Sequence, residues 1–74
     1  MLVLVTGATG FLGRRVVPEL QSLGHEVRCL VHTPGRERIF PTRSVDIHYG
    51  SVLDVDALAA AFYGAEAVVS LVGI

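Results

Sequence analysis

The stretch Val5–Val16, VTGATGFLGRRV, places three glycines at three-residue intervals, Gly7, Gly10 and Gly13, between an apolar run and a segment with helical periodicity. Glycine is a poor residue for building either a strand or a helix. Three of them at one junction confine the chain to a tight strand-to-helix turn whose backbone stays open to close approach. Each position then has a physical task. Gly7 lets the chain leave the strand sharply, Gly10 removes a Cβ from the floor of the turn, and Gly13 lets the helix lie against the sheet.

The rest of the chain arranges itself around that turn. Leu2–Thr6 reads as a short parallel strand buried on both faces. From Phe11 to Leu23 the period is helical, with Leu12, Val16, Leu20 and Leu23 forming one stripe and Gly24 as the stop. Pro18 falls within this helix on the side away from Val16, where water can satisfy the carbonyl it frees, so it predicts a bend and not a break. Glu26–Val31 is the second strand. Thr33–Ser44 is a linker with two prolines, three arginines and one helical turn at Arg36–Phe40. Val45–Tyr49 is a third strand. Asp54 is the N-cap of a helix carrying Val55, Leu58, Ala59 and Phe62 and closed by Gly64. Ala67–Val72 is the fourth strand. Strands alternating with right-handed crossovers predict an α/β fold, the N-terminal part of a doubly wound parallel sheet with four strands in the order 3-2-1-4.

Length and composition narrow the function. The 74 residues form one domain at most, a single half-domain spanning 1–74. A chain of this size buries only roughly 60–65% of its unfolded surface. Yet 51% of the residues are hydrophobic, which predicts surface to be covered by further chain, a subunit or a ligand. A formal charge of −1 gives no electrostatic reason to expect nucleic acid or an anionic membrane. The apolar stretch Ala57–Ile74 carries Glu66 at its middle and is split by Gly64, so it predicts no membrane span. No basic leader precedes the first apolar run. Cys29 is the only cysteine, excludes an internal disulfide and reads as a buried small hydrophobe, consistent with a reducing cytoplasm.

The chemistry of the glycine-rich turn favours an anion. Free N–H groups at the start of the following helix, near Phe11, and the positive end of its dipole face the space that Gly10 clears, and a diphosphate suits that seat. A tight turn with no ligand is the bland alternative. A P-loop is excluded, because the chain contains no lysine. The wording TGATGFLG at Thr6–Gly13 resembles the cofactor loop of the extended and atypical short-chain dehydrogenase/reductases. The resemblance continues through GHEVRCLV at 24–31, YGSVLDVDALAAAF at 49–62 and GAEAVVSLVG at 64–73, and so covers nearly the whole chain. It is strongest toward the atypical branch that includes NmrA-like proteins and the Rossmann-type accessory subunit of respiratory complex I. The resemblance implies that Thr9, Gly10, Phe11 and Leu12 contact the diphosphate of a nicotinamide dinucleotide through backbone groups. It also implies that Leu71, Val72 and Gly73 pass beneath the ribose and nicotinamide. Relatives usually carry an aspartate after strand three that bonds the adenine amine; this chain has Ser51 there, followed by Val52 as an apolar wall.

The choice of dinucleotide turns on the end of strand two. A site selective for NAD places a carboxylate about 20 residues past the glycines, on the ribose 2′-hydroxyl. The matching position is His32, and Arg36 and Arg38 follow it, able to grip a 2′-phosphate. NADP is therefore the expected cofactor, with NAD the alternative and solvated loop arginines the plainer explanation of Arg36. The tyrosine–lysine pair that the resemblance leads one to expect for catalysis is absent, since no lysine follows Tyr49 or Tyr63. His25 and His48 have no partners at metal-ligand spacing. No residue is assigned to catalysis or to a metal. Two functions remain: the cofactor-binding part of a reductase or epimerase, or a non-catalytic accessory module docked on a larger assembly, membrane-associated or not; a protein partner or the missing C-terminal chain is expected along the strand at 67–72.

Overall fold

The computed structural model describes residues 1–10, 12–39 and 45–71. In chain order they form β1 (Leu2–Thr6), α1 (Gly13–Ser22), β2 (Glu26–Val31), a 3₁₀ turn (Arg36–Ile39), β3 (Val45–Tyr49), α2 (Val55–Phe62) and β4 (Ala67–Ser70). The strands form one sheet in the order β3-β2-β1-β4. Every pairing is parallel, with Val5 opposite both Cys29 and Val69, and Cys29 opposite Ile47. This is the order that alternating strands and crossovers predict.

Alternation along the strands divides the core into two layers. Val3, Val5, Val27, Cys29, Val31 and Val45 pack on one face with Ala8 and with Val17 of α1. Leu4 and Leu30 pack on the other with Ala61 of α2, and Leu58 and Ala65 fill in around them. β1 is buried along its length apart from Leu2, as a central strand covered on both faces must be.

Both helices bury a different set of residues from the one their apolar spacing predicts. In α1 the buried residues are Gly13 and Val17, while Leu12 and Leu23 are exposed and Val16 and Leu20 only partly covered. In α2 the inward residues are Ala61 and Leu58, and Val55, Ala59 and Phe62 face outward. The physical reason is closeness: Gly13 and Ala61 bring the helix axes near the sheet, so Val17 and Leu58, one helical turn from them, fill the seam and the bulkier residues to either side are left outside. α1 also begins at Gly13, two residues later than its period suggests, with Leu12 as its N-cap. Pro18 lies exposed on its outer side and the helix runs through it unbroken. Gly24, at φ 89°, ends the helix, with its N–H and that of His25 donating to the carbonyls of Gln21 and Leu20. The last strand closes at Ser70, and the expected extension to Val72 runs outside the described residues.

Arg28 ties the second layer together. On β2 it pairs with Asp46 of β3 at 2.8 Å, and its guanidinium donates to the carbonyl of Ala61 at 2.9 Å and to that of Tyr63. It thereby satisfies carbonyls that the C-terminus of α2 would otherwise leave open. His48 approaches the same Asp46 carboxylate at 3.5 Å, a packing role far from the glycine-rich turn. Glu66 fastens the start of β4 to β1 by accepting from the N–H of Leu2.

Candidate functional site

The C-terminal ends of β1, β2 and β3 enclose a cleft of about 210 Å³ lined by Gly7, Thr9, Leu30, His32, Gly50, Ser51 and Val52. Ligands of open parallel sheets bind at that end of the strands, where the order reverses about β1. Three separate crossings of the chain supply the lining: the turn after β1, the last residues of β2, and the loop that joins β3 to α2. Among the described residues no carboxylate lines the cleft.

The turn after β1 has the geometry its glycines suggest. Gly7 takes φ 72°, in the left-handed region that favours glycine, and the N–H of Gly10 donates to its carbonyl at 3.2 Å. Gly13 and Gly10 are glycine for different reasons. A Cβ on Gly13 would lie 1.7 Å from the carbonyl oxygen of Ala8, so only glycine lets α1 pack there. A Cβ on Gly10 would meet nothing of the protein closer than the carbonyl oxygen of Gly7 at 3.4 Å, an ordinary contact, and the residue is exposed with no positive φ. Among the described residues nothing demands a glycine at position 10.

The two helix N-termini differ as well. α2 is capped by Asp54, whose carboxylate accepts from the N–H groups of Asp56 and Ala57 at 3.0 and 3.2 Å. α1 has no side-chain cap and no acidic residue in its first turn; Arg14 and Arg15 stand there instead. Cations at a helix N-terminus oppose the dipole. An anion over the turn would relieve that opposition.

On the far wall, Gly50 follows β3 and donates its N–H to the carbonyl of Val31 at 3.0 Å. A Cβ there would lie 2.4 Å from that of Ala57, so this glycine lets α2 close over the sheet. The hydroxyl oxygen of Ser51 accepts from the N–H of Leu53 at 3.0 Å, and its carbonyl accepts from that of Asp54 at 2.9 Å. Ser51 thus holds the loop in shape while lining the cleft. His32 is exposed at the mouth, with Nδ1 3.5 Å from the hydroxyl of Thr33.

Of the residues singled out in the sequence, Gly7, Thr9, His32, Ser51 and Val52 come together in this one cleft. Gly10 and Leu12 belong to the adjoining turn and helix start, and Gly13 is buried behind them. Arg36 and Arg38 are exposed in the 3₁₀ turn beyond His32, outside the lining. Leu71 lies on the other side of β1, where its N–H donates to the carbonyl of Thr6 at 2.8 Å. Phe11, Val72 and Gly73 lie outside the described residues. Sequence reasoning passed over Leu30 and Gly50, which also line the cleft. Gly50 was signalled by its place directly after a strand; Leu30 carries no signal that separates it from ordinary core.

Other titratable groups stand elsewhere. Tyr49 and Tyr63 are exposed, and His25 reaches the terminal ammonium of Met1 at 3.5 Å at the opposite end of the sheet. Among the described residues no three His, Cys, Asp or Glu side chains gather as metal ligands, and no helix is long and apolar enough to cross a membrane. The thiol of Cys29 is buried at the centre of the sheet; burial, reinforced by Asp46, pushes it up to about 12.

Residues 7–74 match a protein family described as NAD(P)H-binding. The chain is 37% identical over 75 residues to an epimerase family protein of Arabidopsis thaliana, the chloroplastic SDR39U1 homolog, aligning over its whole length with 21% of that protein. Among solved structures it resembles a short-chain dehydrogenase/reductase superfamily protein of Agrobacterium tumefaciens with bound NAD. There the TM-score is 0.76 and the identity 34%, covering 96% of this chain and 20% of that one. It also resembles AtPrR2 with NADP+ and (+)pinoresinol, with a TM-score of 0.79 and 33% identity, over 92% of this chain and 24% of that one. The chain thus spans about a fifth to a quarter of the length of these proteins.

Proposed function

This chain belongs to the NAD(P)H-binding family, and from that premise we propose that residues 1–74 form one cofactor-binding half-domain that takes NADP in preference to NAD. The diphosphate lies over the turn from Gly7 to Gly13, against the backbone of Thr9, Gly10, Phe11 and Leu12. The adenosine half occupies the cleft, with Ser51 and Val52 beside the adenine and His32 beside the ribose. Leu71, Val72 and Gly73 pass under the nicotinamide half, which when bound supplies or accepts a hydride.

The observation that carries this reading is the unexplained glycine. Position 10 has neither a positive φ nor, among the described residues, a neighbour that a Cβ would strike, and its bare backbone leaves room for a ligand to approach. The uncapped start of α1, flanked by Arg14 and Arg15, supports an anion at the same place. The preference for NADP rests on His32 standing where an NAD site carries a carboxylate and on the lack of a carboxylate among the described lining residues, because an acidic residue at the ribose would select the free 2′-hydroxyl and repel a phosphate. Arg36 then serves as the cation that reaches the 2′-phosphate from the 3₁₀ turn.

Hydride transfer to a substrate needs groups this chain does not have, since its tyrosines have no lysine partner. We therefore assign it the cofactor-binding part of a short-chain reductase or epimerase, working in the cytoplasm, where an unpaired buried thiol such as Cys29 is stable. A second reading, a non-catalytic module docked on a larger assembly, is favoured by one observation: apolar residues of both helices and of β4 are left uncovered.

Titration with NADPH and NADH, followed by nicotinamide fluorescence, tests the assignment. Saturable binding with the phosphorylated form tighter is expected. Equal and negligible responses to both would remove the cofactor, and tighter NADH binding would reverse the preference.

A further inference from the structure

Of the described residues that line the cleft, two are glycines, two are apolar and two carry hydroxyls; the seventh is His32. Imidazole is the side chain whose charge changes between about pH 5 and 8. His32 follows directly after β2 and is exposed at the mouth, within reach of water and of a ligand. Its Nδ1 lies 3.5 Å from the Thr33 hydroxyl, and among the described residues no carboxylate pairs with the ring.

The surroundings add no second group that titrates in this range. The turn after β1 brings Gly7 and Thr9, and the loop after β3 brings Gly50, Ser51 and Val52. Beyond that loop the Asp54 carboxylate is engaged in capping α2. Tyr49 ends β3 opposite Val31; phenols and carboxylates ordinarily titrate outside this range. Arg14 and Arg15 at the start of α1, and Arg36 and Arg38 in the 3₁₀ turn, stay charged throughout. Glu37 stands between the last two in the sequence, and its side chain lies outside the described ones. The other histidines are elsewhere, His25 beside the terminal ammonium of Met1 and His48 beside Asp46.

NADP differs from NAD by one group, a 2′-phosphate in place of a hydroxyl. A protonated imidazole attracts the phosphate far more than the hydroxyl, and a neutral one separates them only weakly. Arginine at this position would make the attraction permanent. Histidine makes it conditional.

We infer that His32 makes the choice between the two dinucleotides depend on pH, favouring the phosphorylated one as the medium acidifies from about pH 8 toward 6. The inference rests on the reading of the cleft as the adenosine site and adds a control to it. Protonation of His32 grows as pH falls, so the preference for NADP grows with it. The phosphate takes up a proton of its own at about pH 6, which opposes the trend below that point. Arg36 supplies the part of the attraction that does not vary.

Calorimetric titration with NADP+ and with NAD+, at about pH 6 and about pH 8.5 and one ionic strength, reads the ratio of the two dissociation constants. The ratio should favour NADP+ at least threefold more at the lower pH. His32→Gln should lose that rise and keep only the weak opposing trend of the phosphate, and His32→Arg should favour NADP+ at both values. Circular dichroism melts check that the variants fold, with His32→Asn in place of His32→Gln if that one does not. A ratio that does not rise toward the lower pH, or that rises equally in His32→Gln, overturns the inference and leaves the cofactor reading standing. A ratio that favours NAD+ throughout yet still moves through His32 would reverse the preference for NADP and support the inference. No binding of either dinucleotide at either pH removes the cofactor reading, and this inference with it.

Discussion

At the scale of single residues, Gly10 and Gly13 look alike in the sequence and differ in what they are for. Gly10→Ala is expected to leave folding intact, because a Cβ at 3.4 Å from the nearest protein atom is tolerated, and to weaken dinucleotide binding at least tenfold. Thermal unfolding and NADPH titration on one preparation check both halves; unchanged affinity would make the turn mere packing. Gly13→Ala should instead fail in folding, since its Cβ would overlap the Ala8 carbonyl, and its circular dichroism melt should lose cooperativity. Cys29 gives a pH prediction. With its folded-state pKa pushed up to about 12 by burial from the ordinary thiol value of 9.0, the unfolded chain ionises first as pH rises. Stability is therefore full below pH 9 and falls between 9 and 12. Denaturant midpoints measured across that range should decline for the native chain and flatten in Cys29→Ala.

At the scale of elements, the two helices are held in opposite ways. α2 has its own cap in Asp54 and an external clamp in Arg28, whereas α1 has neither and starts against the glycine turn. Asp54→Ala should cost about 1 kcal/mol, lowering Tm by about 4–8 °C in a domain this small. Arg28→Met should cost more, because it leaves Asp46 without its closest partner and reopens carbonyls at the end of α2. The carboxylate is half exposed, so part of the pairing is screened, and the loss should shrink in high salt. β1 was legible because a parallel strand buried on both faces reads as a plain apolar run, and β3 from its alternation of Val45, Ile47 and Tyr49; β1, β2 and β3 fall at the expected residues. Helix faces were not legible. The apolar period marks all the side chains that avoid water, and it cannot separate those meeting this sheet from those meeting something beyond it.

At the scale of the whole molecule, the sheet brings the turn after β1, the end of β2 and the loop after β3 to one cleft, and leaves the β4 side open. Binding at the cleft should stabilise the chain by mass action, raising Tm as NADPH is added in excess over its Kd. A Tm that does not move while fluorescence reports binding would place the ligand outside the folded cleft.

The sequence by itself determined the parallel sheet, its order and the place of the glycine-rich turn. Those follow from local rules: apolar runs make buried strands, glycines clear the backbone, and crossovers keep one hand. Five of the site residues it named meet in the cleft for the same reason, since each sits at the end of a strand. Only the tertiary structure decided that Gly13 sits against the Ala8 carbonyl while Gly10 has no such close neighbour among the described residues, that Leu30 and Gly50 join the lining, and that Val17 and Ala61 take the seams in place of residues such as Leu12, Leu23, Val55 and Phe62. Those outcomes depend on how closely two surfaces approach, a distance that no spacing along one chain encodes.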